Sequence, residues 1–211
     1  MFLFPYRDEN QTRSFPLITV AFILVNLYLF STTYWSDNFA SIIPRYGFIP
    51  NHLSLKPFGI LSSMFLHANI PHLVSNMWFL WLFGDNIEDN FGKLPFVLLY
   101  ILSGISGNFI HGLASLFQSS VPVIGASGAV AGIMGSYLIR FPTARIRTVF
   151  LIIVFPIFVR IHAFWFLGFW MVFEFGKAFF NPFTNVSHWA HVGGFIVGIV
   201  WTFGRRDARK A

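Results

Sequence analysis

Cysteine is absent from the 211 residues, and charged side chains make up only 10% of them. The absence of cysteine excludes disulfides, thiolate metal sites and cysteine nucleophiles. A soluble domain carries about 25% charged residues, whereas hydrophobic residues here reach 55% and include 29 phenylalanines. A soluble protein of this size cannot bury so much apolar surface, so the composition predicts a polytopic membrane protein.

The excess of basic residues gives a formal net charge of +6. Because these residues lie between the hydrophobic segments, we expect their partner to be membrane lipid and not nucleic acid. The first ten residues mix phenylalanine with charged side chains, and no small-residue cleavage site follows. We therefore expect the first hydrophobic run to be retained as a membrane span and not removed as a signal peptide.

Apolar runs of about 20 residues predict an all-α fold with six transmembrane helices. We expect one membrane domain over residues 1–211, with short cytoplasmic tails at about 1–14 and 204–211. The six predicted spans are Phe15–Trp35, Ile70–Phe83, Leu94–Phe117, Ile124–Phe141, Ala163–Phe180 and Trp189–Phe203.

Two connections between the predicted spans are unusually apolar. Ser36–Asn69 is rich in proline, phenylalanine and isoleucine, and we expect it to lie at the membrane interface. Phe150–Ile161 is interrupted by Pro156 and Arg160, so we assign it to the connection between spans four and five. A seventh span at this position is the alternative.

The distribution of lysine and arginine predicts the orientation in the membrane. With six spans and both termini on one side, that side holds eleven of these residues and the other side holds three. The eleven are Arg7, Arg13, Lys93, Arg140, Arg145, Arg147, Arg160, Arg205, Arg206, Arg209 and Lys210, and the three are Arg45, Lys56 and Lys177. The positive-inside rule then predicts cytoplasmic termini, so spans two, four and six begin at the outer face.

Polar residues gather at the starts of these three spans. Span two carries His72 and Asn76 on one helical face, span four begins near Ser127, and span six begins near His191. A histidine can take the proton that makes a serine hydroxyl nucleophilic. The Asn76 amide, the His72 imidazole and the Ser127 backbone N–H are candidate donors to an oxyanion.

The glycines of these helices have a simpler interpretation. Gly-x-x-x-Gly pairs allow transmembrane helices to pack closely, without any role in catalysis. We expect this packing role for five glycines, namely Gly125, Gly128, Gly132, Gly194 and Gly198.

Three strings together resemble the rhomboid family of intramembrane serine proteases, in its compact bacterial six-span form. The strings are His72-Leu-Val-Ser-Asn76, Gly125-Ala-Ser127-Gly128 and Ala190-His191-Val-Gly-Gly194. The resemblance implies a dyad without a carboxylate, in which Ser127 is the nucleophile and His191 the general base. It also implies that His72 and Asn76 form the oxyanion hole, and that neither a cofactor nor a metal is needed. Transmembrane segments of other membrane proteins would be the substrates, and a bacterial inner membrane the location.

Two features of the sequence leave the site incompletely explained. Many rhomboids carry an aromatic residue four positions after the serine, which stacks on the histidine, whereas this chain has Ala131. The orientation of His191 must then come from another group. Glu174 lies within the fifth predicted span, and we assign it no role.

Two other functions remain open. A rhomboid-like pseudoprotease would bind transmembrane clients without cleaving them, but Ser127 and His191 are both present, which disfavours it. A small transporter or proton channel could use the intramembrane histidines as a relay. No line of polar residues continues from them toward the cytoplasmic side, which disfavours this function too.

Overall fold

The computed structural model describes residues 2–152, 155–180 and 186–205. Within these residues the chain forms eight α-helices and three β-strands. The helices are α1 Leu17–Tyr34, α2 Phe39–Tyr46, α3 Gly59–Ser62, α4 Ile70–Phe91, α5 Lys93–Ala114, α6 Ser127–Arg140, α7 Ala163–Phe180 and α8 His188–Phe203, and the strands are β1 Phe2–Asp8, β2 Arg145–Ile152 and β3 Phe155–His162. The predicted, mostly helical architecture is confirmed, with one long helix at the position of each predicted span.

Three of the six long helices are long and apolar enough to cross a membrane by themselves, namely α1, α5 and α7. A span needs about 20 residues, whereas α6 has 14 and α8 has 16. Helix α4 has 22 residues but carries acidic side chains near its end. The count of six spans therefore stays a prediction.

The all-α prediction is confirmed only for the mostly helical part of the fold, because β1, β2 and β3 form an antiparallel sheet in that order. The expected N-terminal tail at 1–14 contributes β1. Of the expected C-terminal tail at 204–211, residues 206–211 lie outside the described residues. The described residues of Phe150–Ile161 belong to the paired antiparallel strands β2 and β3, so the alternative of a seventh span there is wrong. Pro156 is accommodated because β3 is an edge strand, where a missing N–H breaks no ladder bond.

Acidic residues at the end of α4 hold the start of α1. The two carboxylate oxygens of Glu88 accept hydrogen bonds from the backbone N–H groups of Ile18 and Thr19, at 2.9 and 2.8 Å. The Thr19 hydroxyl donates a third bond to Glu88, at 2.8 Å. These N–H groups lack partners within α1, and a carboxylate is favoured at a helix N-terminus. The part of α4 that continues beyond the predicted end at Phe83 therefore supplies the acidic side chain that caps the start of α1.

Helices α5, α6 and α8 pack together at the centre of the protein, with α4 against α6 and α1 against α4. Every residue of α6 from Gly128 to Tyr137 is buried. Helices α6 and α8 contact each other through their backbone atoms. A Cβ atom added at Gly194 would collide with the carbonyl oxygen of Gly128, and one at Gly198 with that of Gly132. This approach sets the distance between the two helices that begin near Ser127 and His191.

Candidate active site

The starts of α6 and α8 lie beside each other. Ser127 is the first residue of α6, and His191 lies in the first turn of α8. The ideal Cβ position of Gly128 lies 3.4 Å from the carbonyl oxygen of Ala190. Since Gly128 follows Ser127 and Ala190 precedes His191, the structure brings the predicted nucleophile and base to the same end of the α6–α8 contact.

The chain just before Ser127 lies directly against two side chains of α4. Gly125 has a φ of +121°, and a Cβ atom at this position would lie 2.6 Å from Nε2 of His72. The same Cβ would lie 3.6 Å from Nδ2 of Asn76. Only glycine fits this backbone conformation and this approach without strain. The packing role expected for Gly125 is therefore one of contact with the predicted oxyanion donors.

Asn76 presents a buried amide with a free donor. Its side chain is 6% exposed, and Nδ2 has no hydrogen-bond partner among the described residues. An unpaired buried donor costs about 1–3 kcal/mol, and an acceptor brought by a substrate would relieve that cost at Asn76. The backbone N–H of Ser127, at the start of α6, likewise has no acceptor within its helix.

A second histidine lies beside His72. The His67 ring is buried, and its centroid is 5.1 Å from that of His72. Both ring nitrogens of His67 lack a partner among the described residues. Burial, with a smaller contribution from His72, lowers the pKa of His67 to about 3, so this ring is neutral at physiological pH. The sequence prediction assigned no role to His67.

Glu174 on α7 contacts the predicted base. The side chain is buried, and its Oε2 lies 2.6 Å from Nδ1 of His191 and 2.7 Å from Nδ1 of His188. The Trp170 ring, one turn earlier on α7, lies 6.0 Å from the His191 ring. Sequence reasoning left Glu174 unassigned. The available signal was the spacing of His188 and His191, which places both rings on one face of α8, together with the lone carboxylate of the preceding helix.

The same three side chains could in principle hold a metal ion, because their ligand atoms lie within 4.8 Å of one another. Two ligands of a tetrahedral zinc ion at about 2.1 Å are separated by about 3.4 Å. The observed N···O distances of 2.6 and 2.7 Å are shorter than this and lie at the short end of those seen in charge-assisted hydrogen bonds. The geometry therefore favours a hydrogen-bonded cluster over a metal centre.

A polar cavity of about 690 Å³ lies elsewhere, between the β1 segment and α4. Its lining includes Arg7, Asp8, Trp78 and Asp85, but none of the predicted site residues. The candidate active site is therefore the cluster at the starts of α4, α6 and α8, and not this cavity.

Comparison with known proteins identifies related chains. A family model described as the Rhomboid domain matches residues 55–207. RHOMBOID-like protein 4 of Arabidopsis thaliana is 28% identical over 93% of this chain. Rhomboid protease GluP of Bacillus subtilis (strain 168) is 28% identical over 90% of this chain. RHOMBOID-like protein 6, mitochondrial, of Arabidopsis thaliana is 40% identical over a shorter region, 37% of this chain.

These relatives are longer than the present chain. The alignments cover 55% of RHOMBOID-like protein 4, 34% of GluP and 25% of RHOMBOID-like protein 6. The chain thus spans about half the length, or less, of the curated relatives that it matches. The family-model match includes α4, α6, α7 and α8, and therefore every residue of the candidate site.

Proposed function

Because this chain belongs to the rhomboid family, we propose that it is an intramembrane serine endopeptidase that hydrolyses peptide bonds in or near the transmembrane segments of other membrane proteins. In this proposal Ser127 is the nucleophile and His191 the general base. His72, Asn76 and the backbone N–H of Ser127 stabilise the oxyanion. No metal or cofactor takes part.

The observation that carries the proposal is the contact of the Gly125 backbone with two donor side chains. His72 and Asn76 lie against the residue two positions before the nucleophile, and the buried Asn76 amide has an unused donor. The oxygen of a carbonyl attacked by Ser127 would form within reach of donors that are already in place. Donors fixed before the reaction stabilise the developing charge without reorganisation, which is the largest single contribution in acyl-transfer enzymes.

The reaction follows from these roles. His191 Nε2 takes the proton of the Ser127 hydroxyl as its oxygen attacks the scissile carbonyl carbon. The tetrahedral intermediate collapses when the imidazolium gives its proton to the leaving amine, which leaves an acyl-enzyme on Ser127. A water molecule, deprotonated by His191, then attacks the ester. The imidazolium returns this proton to the Ser127 oxygen as the ester bond breaks, and the second product leaves with a free carboxylate.

The orientation predicted from the charges places this chemistry near the outer face of the membrane. Water and substrate then reach the site from that side, and both termini are cytoplasmic, as in a bacterial inner membrane protein. A substrate helix must unwind locally before its peptide bonds can be attacked, and glycine, proline or polar residues lower that cost. We therefore expect cleavage of single-span proteins near their outer boundary, after a small residue such as alanine.

The test is covalent labelling of the purified protein by a fluorophosphonate, compared with Ser127→Ala. An activated serine reacts with this probe and an unactivated one does not, so the wild type should be labelled and the variant should not. A pseudoprotease that only binds transmembrane clients, or a transporter, would leave the wild type unlabelled. Labelling of Ser127→Ala to the wild-type level would contradict the assignment of the nucleophile.

A further inference from the structure

We propose that Glu174 is a positioning residue for the reaction, which holds His191 in the orientation and tautomer that a general base requires. The site then works as a serine–histidine–glutamate set, and not as the dyad without a carboxylate that the rhomboid resemblance implied. The inference rests on the proposed protease function and assigns a role to a residue that this function left unused.

The first step of the argument is the identity of the contacting atoms. The 2.6 Å contact joins Glu174 Oε2 to Nδ1 of His191 and leaves Nε2 uninvolved. An ionised carboxylate can only accept hydrogen bonds, so Nδ1 carries the proton. In a neutral imidazole the other nitrogen, Nε2, is then an acceptor. This is the nitrogen that must take the proton of Ser127.

The second step is the strength of the contact. Glu174 is 6% exposed and His191 is 9% exposed, so water competes little for either group. Hydrogen bonds to a charged acceptor are shorter and about twice as strong as neutral ones, and a low local dielectric strengthens them further. The carboxylate also lies where the imidazolium forms during the reaction, so it stabilises the positive charge of that state.

The third step concerns how Glu174 itself is held. Nδ1 of His188, one turn before His191 on α8, lies 2.7 Å from the same oxygen, so an ionised carboxylate there accepts from it as well. The carboxylate is thus fixed by two imidazole donors on one helix, while its own backbone belongs to α7. Ala131 offers no ring to orient His191 by stacking. The Glu174 hydrogen bond supplies that orientation instead.

The experiment compares Glu174→Gln with the matched control Glu88→Gln. Both residues are buried carboxylates that accept hydrogen bonds from a neighbouring helix, but the Glu88 contacts are those with α1. The glutamine at 174 can donate to Nδ1 and stabilise the wrong tautomer, so Nε2 would no longer accept the serine proton. We expect kcat to fall at least about 10²-fold with KM unchanged. Glu88→Gln should lower thermal stability and leave kcat per folded molecule unchanged.

Two further measurements separate positioning from mere packing. Glu174→Asp keeps the charge on a shorter side chain, so it should recover part of the turnover lost in Glu174→Gln. In ¹⁵N-histidine-labelled protein, downfield Nδ1–H proton resonances of His191 and His188 should be present in the wild type and both should be lost in Glu174→Gln, whereas His191→Ala should lose only the resonance of His191. Turnover should also persist in a chelator. If a chelator abolished turnover and added zinc restored it, the three side chains would form a metal site and the proposal would be wrong.

The failures of the two proposals are distinguishable. If the wild type cleaves substrate, Ser127→Ala does not, and Glu174→Gln retains wild-type kcat, then only the role of Glu174 is wrong. An equal loss of kcat in Glu88→Gln would also overturn that role, because the effect would be structural. If the folded wild type neither cleaves nor reacts with the fluorophosphonate, both proposals are wrong.

Discussion

The hydroxyl of Tyr137 on α6 donates a hydrogen bond to Oδ2 of Asp8 on β1, at 2.7 Å. Nδ2 of Asn86 on α4 donates to the same oxygen, also at 2.7 Å. The end of the first strand is therefore bound to two of the helices that carry the candidate site, at the ends opposite to Ser127 and His72. A change in the protonation of Asp8 therefore alters the hydrogen bonds that join β1 to α4 and α6.

Stability should depend on pH through Asp8. Burial, opposed in part by the Tyr137 hydrogen bond and reinforced by the nearby Asp85, raises its pKa from 3.8 to about 7. Between these values the folded protein holds one proton more than the unfolded chain, so stability should fall as pH rises through this window. Melting temperature in detergent, measured at roughly pH 5 and roughly pH 8, checks this prediction. Asp8→Asn cannot ionise and should reduce the difference, whereas an undiminished difference in the variant would refute the assignment to Asp8.

Gly198→Val should lower thermal stability, because its Cβ would collide with the carbonyl oxygen of Gly132 at the α6–α8 contact. Backbone cannot move aside as a flexible side chain can, so the helices must separate. Gly168→Val on α7 is the matched control, since a Cβ there meets nothing within 4 Å. The melting temperature of Gly198→Val should be lower than that of the control. Equal melting temperatures, with full activity, would count against a close α6–α8 contact.

Asn76→Ala should lower kcat by roughly 10²-fold with little change in KM, because it removes a donor used only in the transition state. Loss of Nδ2 breaks no hydrogen bond among the described residues, so the free energy of unfolding should change little. Steady-state kinetics on a model substrate, together with a melting curve, give both values. An effect confined to KM would make Asn76 a substrate-binding residue.

Glu88→Gln should destabilise the fold by about 2 kcal/mol, because the three hydrogen bonds from the start of α1 lose their charged acceptor. Reversible unfolding in mixed micelles measures this free energy of unfolding. Thr19→Val removes only the hydroxyl donor and should cost less. A variant as stable as the wild type would show that the acidic end of α4 does not hold α1.

The positions of the long helices could be predicted from the sequence because each is a continuous apolar run. Ala163–Phe180 is predicted with the bounds that the structure has, and α5 differs by a few residues. The sheet could not be predicted in this way, since Phe4 of β1 pairs with Val149 far along the chain. Pairing over such a separation leaves no periodic signal, and the apolar hairpin resembles a short membrane span.

In the candidate site, too, local features could be predicted from the sequence and long-range contacts could not. The spacing of His72 and Asn76 along one helix is local, so it could be interpreted from the sequence. The contact between Glu174 and His191 joins two helices through the packing of α7 on α8, which no single-helix pattern reveals. Gly125 is similar, because its close approach to His72 depends on how the loop before α6 lies on α4.

The central claim is that Ser127 cuts peptide bonds of membrane proteins near the outer face, and mapping of cleavage sites tests it most directly. A single-span substrate with an alanine near its outer boundary is incubated in liposomes with the wild type, Ser127→Ala or His191→Ala. Mass spectrometry then identifies the product termini. The account predicts a cut in the outer third of the span by the wild type, and no product from either variant. Product from Ser127→Ala at the wild-type rate, or cuts in the cytoplasmic third of the span, would contradict it.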